Sequence, residues 1–191
     1  MKFTLSGRYS EQSLLKGCLK GARDSQKALY DQYSSRMYSI CLRYAGTETD
    51  AEDLLQEGFL RIFKNIGTFR NEGSFEGWMR RIFVNTAIEK HRKKHHLYPL
   101  MDVSDSDTFV MDSGIVNQMA ADDIMCLVEQ LSPGYRTVFN LYVVEGYGHK
   151  DIAKMMGISI GTSKSQLARA RQILKEKIET LNRQYQHAIG G

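Results

Sequence analysis

The chain has 191 residues, with 26 lysines and arginines against 22 aspartates and glutamates, a formal net charge of +4. That length excludes a large multidomain enzyme and leaves one ordinary domain or two small ones. With 42% hydrophobic and 25% charged residues, the composition is that of a globular protein, not a fibrous or disordered one. No apolar run approaches the roughly 18–20 residues that span a bilayer, and the amino terminus, MKFTLSGRYSEQ, turns polar early. A cytoplasmic protein with no direct membrane insertion is expected. Cys18, Cys41 and Cys126 are odd in number and far apart, so neither a disulfide framework nor a thiolate zinc site is indicated. Pro99 and Pro133 are the only prolines and no strand-like alternation stands out, which predicts an all-α fold.

Leu29, Tyr33, Met37, Ile40 and Tyr44 recur at helical spacing, and Ala45-Gly46 is a stop signal. Thr49-x-x-Glu52 then reads as a capping box opening a second helix, with Ala51, Leu54, Leu55, Gly58, Phe59, Ile62 and Phe63 as its apolar stripe. Asp53, Gln56, Glu57 and Leu60 fall on the opposite side, so an exposed leucine sits among acceptors. A solvated face is the ordinary reading of such a surface.

The loop TFRNEGSFEGW follows, carrying Phe69, Arg70, Asn71 and Phe75 around Gly73. Cations and amides interleaved with aromatics suit single-stranded nucleic acid, where bases stack on rings and phosphates meet charge. A helix is predicted from about Ser74 to Lys94 with Phe75, Trp78, Met79, Ile82, Phe83 and Ala87 buried, Trp78 and Phe83 being core residues. Arg81, Asn85 and Arg92 share its other face. His91 and His95 are four apart, but Arg92, Lys93 and Lys94 beside them disfavour a bound cation, and no cofactor is expected. A helix end facing phosphate fits better.

Charge divides the chain. Between Arg61 and His96 there are nine basic residues against three acidic ones, whereas Leu97 to Ser132 holds acidic residues and no lysine or arginine. After Pro133 the basic residues return. Two modules that touch a polyanion, joined by a segment that does not, are implied. The predicted organisation is two small helical domains, 1–97 and 122–184, joined by a flexible acidic linker over 98–121, with a frayed tail at 185–191.

Past the linker, Ile124, Leu127, Val128 and Leu131 mark a short amphipathic helix, and Ser132-Pro133 starts another through Tyr135, Val138, Phe139 and Tyr142. Glu145-Gly146-Tyr147-Gly148 breaks it. Ile152, Ala153 and Met156 give a short helix, Gly157-Ile158-Ser159 a tight turn, and Gly161 onwards a basic helix with Leu167, Leu174 and Ile178 buried. A small residue at the crossing and glycine at the reversal are what a helix-turn-helix requires. Its second helix would carry Thr162, Lys164, Ser165, Gln166 and Arg169 towards DNA.

DAEDLLQEGFLRIFKNI, TFRNEGSFEGWMRRIFVNTAIEKHRKK and LSPGYRTVFNLYVVEGYGHKDIAKMMGISIGTSKSQLARAR together resemble the extracytoplasmic-function sigma factors of bacterial RNA polymerase, from about Ser25 to Ile178. The resemblance implies regions two and four in order, a non-enzymatic role, and promoter melting. On it, Asp53, Gln56, Glu57 and Leu60 would dock on core RNA polymerase, replacing the solvated-face reading. Phe69, Arg70, Asn71 and Phe75 would receive an unstacked base of the minus-ten element, with Arg81, Asn85 and Arg92 on the opened strand or adjoining backbone. Thr162, Lys164, Ser165, Gln166, Ala168 and Arg169 would meet duplex promoter DNA at the minus-thirty-five element. An anti-sigma factor is implied as a further partner. The chain departs from the family pattern at Ser163, where an apolar residue is usual, at Gln166, where arginine is common, and at Gly148, in place of a serine cap. A conventional helix-turn-helix regulator would explain the carboxy-terminal half but gives the Asp53 face and the aromatic loop no job. A small nuclease would need convergent carboxylates that the sequence does not offer.

Overall fold

The computed structural model describes the backbone of residues 10–97 and 121–189, and side chains over 10–93 and 123–183. Every regular element among the described residues is helical. Two compact units divide the chain, Met1–Ala87 and Ile88–Gly191, the break falling inside a helix. Residues 98–120 of the expected linker lie outside the described residues.

The first unit opens with α1 (Glu11–Leu19), which sequence periodicity did not reveal, capped by the Ser10 hydroxyl accepting from the Ser13 amide. Then come α2 (Arg23–Tyr44), α3 (Glu48–Asn65), a single 3-10 turn (Ile66–Thr68) and α4, which begins at Phe75 and runs to Leu97. The cap of α3 is Thr47, not Thr49: its Oγ1 accepts from the Asp50 amide at 3.1 Å. Thr47-x-x-Asp50 satisfies the same capping spacing two residues earlier and places Glu48 and Asp50 against the positive helix end.

Leu29, Tyr33, Met37 and Ile40 of α2 and the expected stripe of α3 are buried, apart from half-buried Phe63. Gly58 lets α4 approach: an added Cβ there would lie 2.0 Å from the Phe83 ring. Phe83 meets Phe59 edge-on at 5.5 Å, so α3 and α4 lock through aromatic contact across a bare backbone. The far side of α3 is thereby left to solvent.

The second unit contains α5 (Ala121–Glu129), α6 (Pro133–Phe139), one π-helical turn (Asn140–Val144), α7 (His149–Met156) and α8 (Ile160–Ile189). Ser132 and Pro133 start α6, although the Ser132 side chain makes no capping bond. Gly148 caps α7 with backbone alone, in extended conformation. Gly157 reverses the chain at φ 71°, in the left-handed region glycine enters without strain, and the amides of Gly157 and Ile158 both return to the Ala153 carbonyl. Ser159 caps α8, its Oγ accepting from the Thr162 amide at 2.9 Å. The core of this crossing is Ile152, Ala153, Met156, Leu167 and Ala170, while Ile158 in the turn is half-exposed. α8 runs on to Ile189, into the segment expected as a tail at 185–191.

Candidate functional site

Three surfaces stand out, and each is a consequence of which helix face the core consumes. On α3, packing takes Ala51, Leu54, Leu55, Gly58 and Phe59, so Asp53, Gln56 and Leu60 are exposed and Glu57 is half-buried. Leu60 is 70% exposed, an apolar side chain ringed by acceptors. Glu57 accepts from the Arg61 guanidinium at 2.6 Å, one turn on. A projecting leucine with carboxylates and an amide around it can seat in an apolar hollow rimmed by cations.

The second surface lies at the start of α4. The Ser74 hydroxyl accepts from the Gly77 amide at 3.0 Å and fixes where the helix begins. The loop before it turns through left-handed residues, Asn71 at φ 61° and Gly73 at φ 104°, asparagine being the residue besides glycine that enters this region most readily. The result is a cleft of ≈ 430 Å³ lined by Phe69, Arg70, Glu72, Trp78 and Arg81, with Thr68, Ser74 and Gly77 completing it. Phe69 stands 5.6 Å from Trp78 and 5.1 Å from Phe75 between ring centroids.

Phe75 does not face this cleft as a contact residue. It is 1% exposed and meets the Tyr33 ring edge-on at 5.9 Å, so as the first residue of α4 it is drawn into the core. Trp78, expected in the core beside Phe83, instead remains half-exposed and lines the cleft. Its spacing from Phe75 and Arg81, three residues to either side, was the available signal. Arg81, Asn85 and Arg92 are all exposed along α4, and Arg70 and Asn71 are exposed in the loop. Tyr33, whose ring meets Phe75, donates to the Glu11 carboxylate at 3.0 Å. Burial, that bond and the nearby carboxylate push its phenol up to about 12.

The third surface is the outer side of α8. Lys164 and Arg169 are exposed, with half-buried Thr162, Ser165 and Ala168 beside them. Two of the expected contacts are engaged locally: Thr162 Oγ1 lies 2.8 Å from Ser159 Oγ, and Ser165 donates to the Thr162 carbonyl at 3.1 Å. Arg169 reaches the Gln172 amide oxygen at 2.8 Å. Gln166 is half-buried, and its Oε1 is buried without a hydrogen-bond partner among the described residues. The residue sits three positions after buried Ser163 and four before buried Ala170, at the edge of the buried stripe of α8. Among the described residues no group of three or more His, Cys, Asp or Glu side chains could hold a metal ion, and no helix is long and apolar enough to cross a membrane.

Residues 29–96 match the family model for Sigma-70 region 2, and residues 121–174 match that for Sigma-70 region 4. The chain is 30% identical over 179 residues to the ECF RNA polymerase sigma factor SigW of Bacillus subtilis, covering 87% of this chain and 96% of the relative. It is 26% identical to the ECF RNA polymerase sigma-E factor of Haemophilus influenzae over 189 residues, covering 93% and 100%. With SigE of Mycolicibacterium smegmatis it shares 29% identity over 162 residues, 82% of this chain and 63% of that longer protein. Among solved structures, the sigma factor RpoE of Bartonella quintana in complex with the anti-sigma factor NepR aligns at a TM-score of 0.47 with 21% identity, over 80% of this chain and 96% of that one. Two region matches in order and 30% identity to SigW over 87% of this chain place it in the extracytoplasmic-function family of RNA polymerase sigma factors.

Proposed function

We propose that the chain binds core RNA polymerase through the outer face of α3, holds an unstacked base of the minus-ten element in the cleft at the start of α4, and reads the minus-thirty-five element with α8. Promoter-directed initiation is the business of its family; the residues that carry each step are the inference. The cleft is the observation that carries it. Phe69 and Trp78 offer aromatic faces, Arg70 and Arg81 offer phosphate partners, and ≈ 430 Å³ accommodates a nucleobase. Extruding a base costs a few kcal/mol in lost stacking, and restacking on an aromatic wall returns about 1–3 kcal/mol.

The exposed arginines of α4 then hold backbone whose contacts carry no sequence information but supply salt-dependent affinity. Leu60 with Asp53, Gln56 and Glu57 anchors the polymerase. Lys164 and Arg169 carry the contact of α8 to the upstream duplex, with Thr162, Ser165 and Ala168 shaping its edge. No covalent step is assigned to any residue, and an anti-sigma factor would regulate the protein by covering these faces. The cytoplasm, where polymerase and promoters are, is the compartment this role requires.

Purified protein and core polymerase free of other sigma factors, mixed with genomic promoter fragments and probed with permanganate, test the reading. Thymines reactive only when both components are present support it and locate the minus-ten element. Binding to duplex without any opened segment favours a conventional regulator instead.

A further inference from the structure

Ser163 is the only serine among the fully buried polar residues of the described structure, and it lies in the first turn of α8 between Thr162 and Lys164. Its hydroxyl has a single partner on another element: His149 Nδ1, at 3.0 Å. His149 is the first residue of α7, directly after a cap that contributes no side chain. A face of the imidazole stacks on Tyr142 with centroids 4.6 Å apart and 25° between planes. Tyr142 in turn carries the Arg171 guanidinium over its ring at 5.7 Å. The ring is thus fixed from two directions, by the π-helical turn below and by α8 beside it.

A hydrogen bond inside a helix crossing is directional where an apolar contact is not. Rotation of α8 about its axis would carry Ser163 away from Nδ1 and leave a buried hydroxyl unpaired, which is costly. The same rotation would move Lys164 and Arg169 together. We propose that His149 is a positioning residue for α8: through Ser163 it sets the rotation at which the helix meets upstream duplex DNA, and positive charge on its ring, facing Lys164 and Arg171 of the same helix, pushes against that setting. The inference rests on the reading of α8 as the duplex-binding helix.

The surroundings oppose that proton. From α8, Lys164 and Arg171 face the ring with positive charge; the π-helical turn contributes the neutral Tyr142; on α7 itself the neighbours are Lys150 and Asp151. Burial first, then Lys164 and Arg171, hold the imidazole below the usual histidine range. A group lowered in this way stabilises the crossing fully above the ordinary histidine value, and the contribution falls away as pH drops from there through the folded-state value.

The test uses core polymerase reconstituted with the full chain, on a duplex promoter and on the same promoter pre-melted and lacking its upstream duplex. Occupancy is measured at about pH 7.5 and about pH 5.5. For the native protein the advantage conferred by upstream duplex should shrink severalfold at the lower pH, as Lys164 and Arg171 repel the charged ring, while the pre-melted template is unaffected. Ser163→Ala should lose the same advantage at both pH values. His149→Asn, which keeps a donor and acceptor near the Nδ1 position but cannot titrate in this range, should keep the advantage at both. An unchanged advantage for Ser163→Ala, or equal acid sensitivity in His149→Asn, overturns the proposal. If native protein gains nothing from upstream duplex at either pH, the reading of α8 itself falls, and the positioning role with it. Thermal melts of each variant separate these outcomes from loss of fold.

Discussion

Phe75 and Trp78 stack at 5.5 Å with 19° between their planes, yet only Trp78 lines the cleft. Two aromatic residues one helical turn apart therefore do different work: Phe75 is a buried footing and Trp78 the surface set on it. Trp78→Ala should leave a folded protein that still binds core polymerase but holds single-stranded minus-ten DNA less tightly, by about tenfold, in keeping with one lost base-stacking contact. Phe75→Ala removes a ring that is 1% exposed and should cost about 3–5 kcal/mol of stability in denaturant melts. Equal effects of the two substitutions on stability would contradict this division.

The α3 face calls for a different comparison. Gln56→Ala combined with Glu57→Ala removes acceptors from a solvent-facing side, among them the Glu57 partner of Arg61 one turn on, a side chain itself about one-third exposed (30%). Such pairs contribute about 0.3–0.5 kcal/mol, so the melting transition should barely move. Core polymerase capture in a pull-down should fall clearly. Capture at native level would remove α3 from the polymerase interface.

Helix existence was legible because the core residues repeat at 3.6-residue spacing and a single chain records that repeat directly. Leu29 through Ile40 and Ala51 through Ile62 are buried as their spacing implies. What the spacing could not decide were residues at boundaries between faces. Thr47 and Thr49 both stand ahead of acidic residues, and only geometry selects Thr47 as the cap. Phe75 lies at the junction of a loop that reaches solvent and a helix that enters the core, and the Tyr33 edge draws it inward. Gln166 sits among Lys164, Ser165 and Arg169 in sequence, while its angular position borders the buried stripe of Ser163, Leu167 and Ala170, so spacing alone leaves it between the two faces. The helix α1 buries only Leu14 and Cys18, too few apolar positions to announce a period. The His149 to Ser163 bond joins residues on different helices, and no local pattern encodes it.

Gly58 tests the packing that leaves the α3 face outward. An added methyl would fall 2.0 Å from Phe83 Cε1, far inside contact distance, and Phe83 is fully buried against Phe59. Gly58→Ala should therefore destabilise the first unit, despite alanine's better helix propensity, by about 1–3 kcal/mol. A Phe83→Leu second substitution, which vacates ring volume, should recover part of the loss. Chemical denaturation of the single and double variants measures both; a Gly58→Ala protein as stable as the native one would mean that α3 and α4 do not close at this point.

Arg169 separates phosphate contact from base reading on α8. The side chain is exposed and its guanidinium is held by Gln172 at 2.8 Å, so truncation removes charge without opening the core stripe at Leu167 and Ala170. If it meets phosphate, Arg169→Ala should weaken holoenzyme binding to promoters of every upstream sequence by a similar factor and lower the slope of log affinity against log salt by about one. If it meets a base edge, the loss should concentrate on one base pair of the upstream element, at about 1–3 kcal/mol, with a smaller change in slope. Affinity measured across a salt series on two promoters that differ only in the upstream element distinguishes the two. Gln172 favours the first outcome, because a guanidinium already shared with a neighbouring amide presents fewer free donors for a bidentate base contact while keeping its full charge.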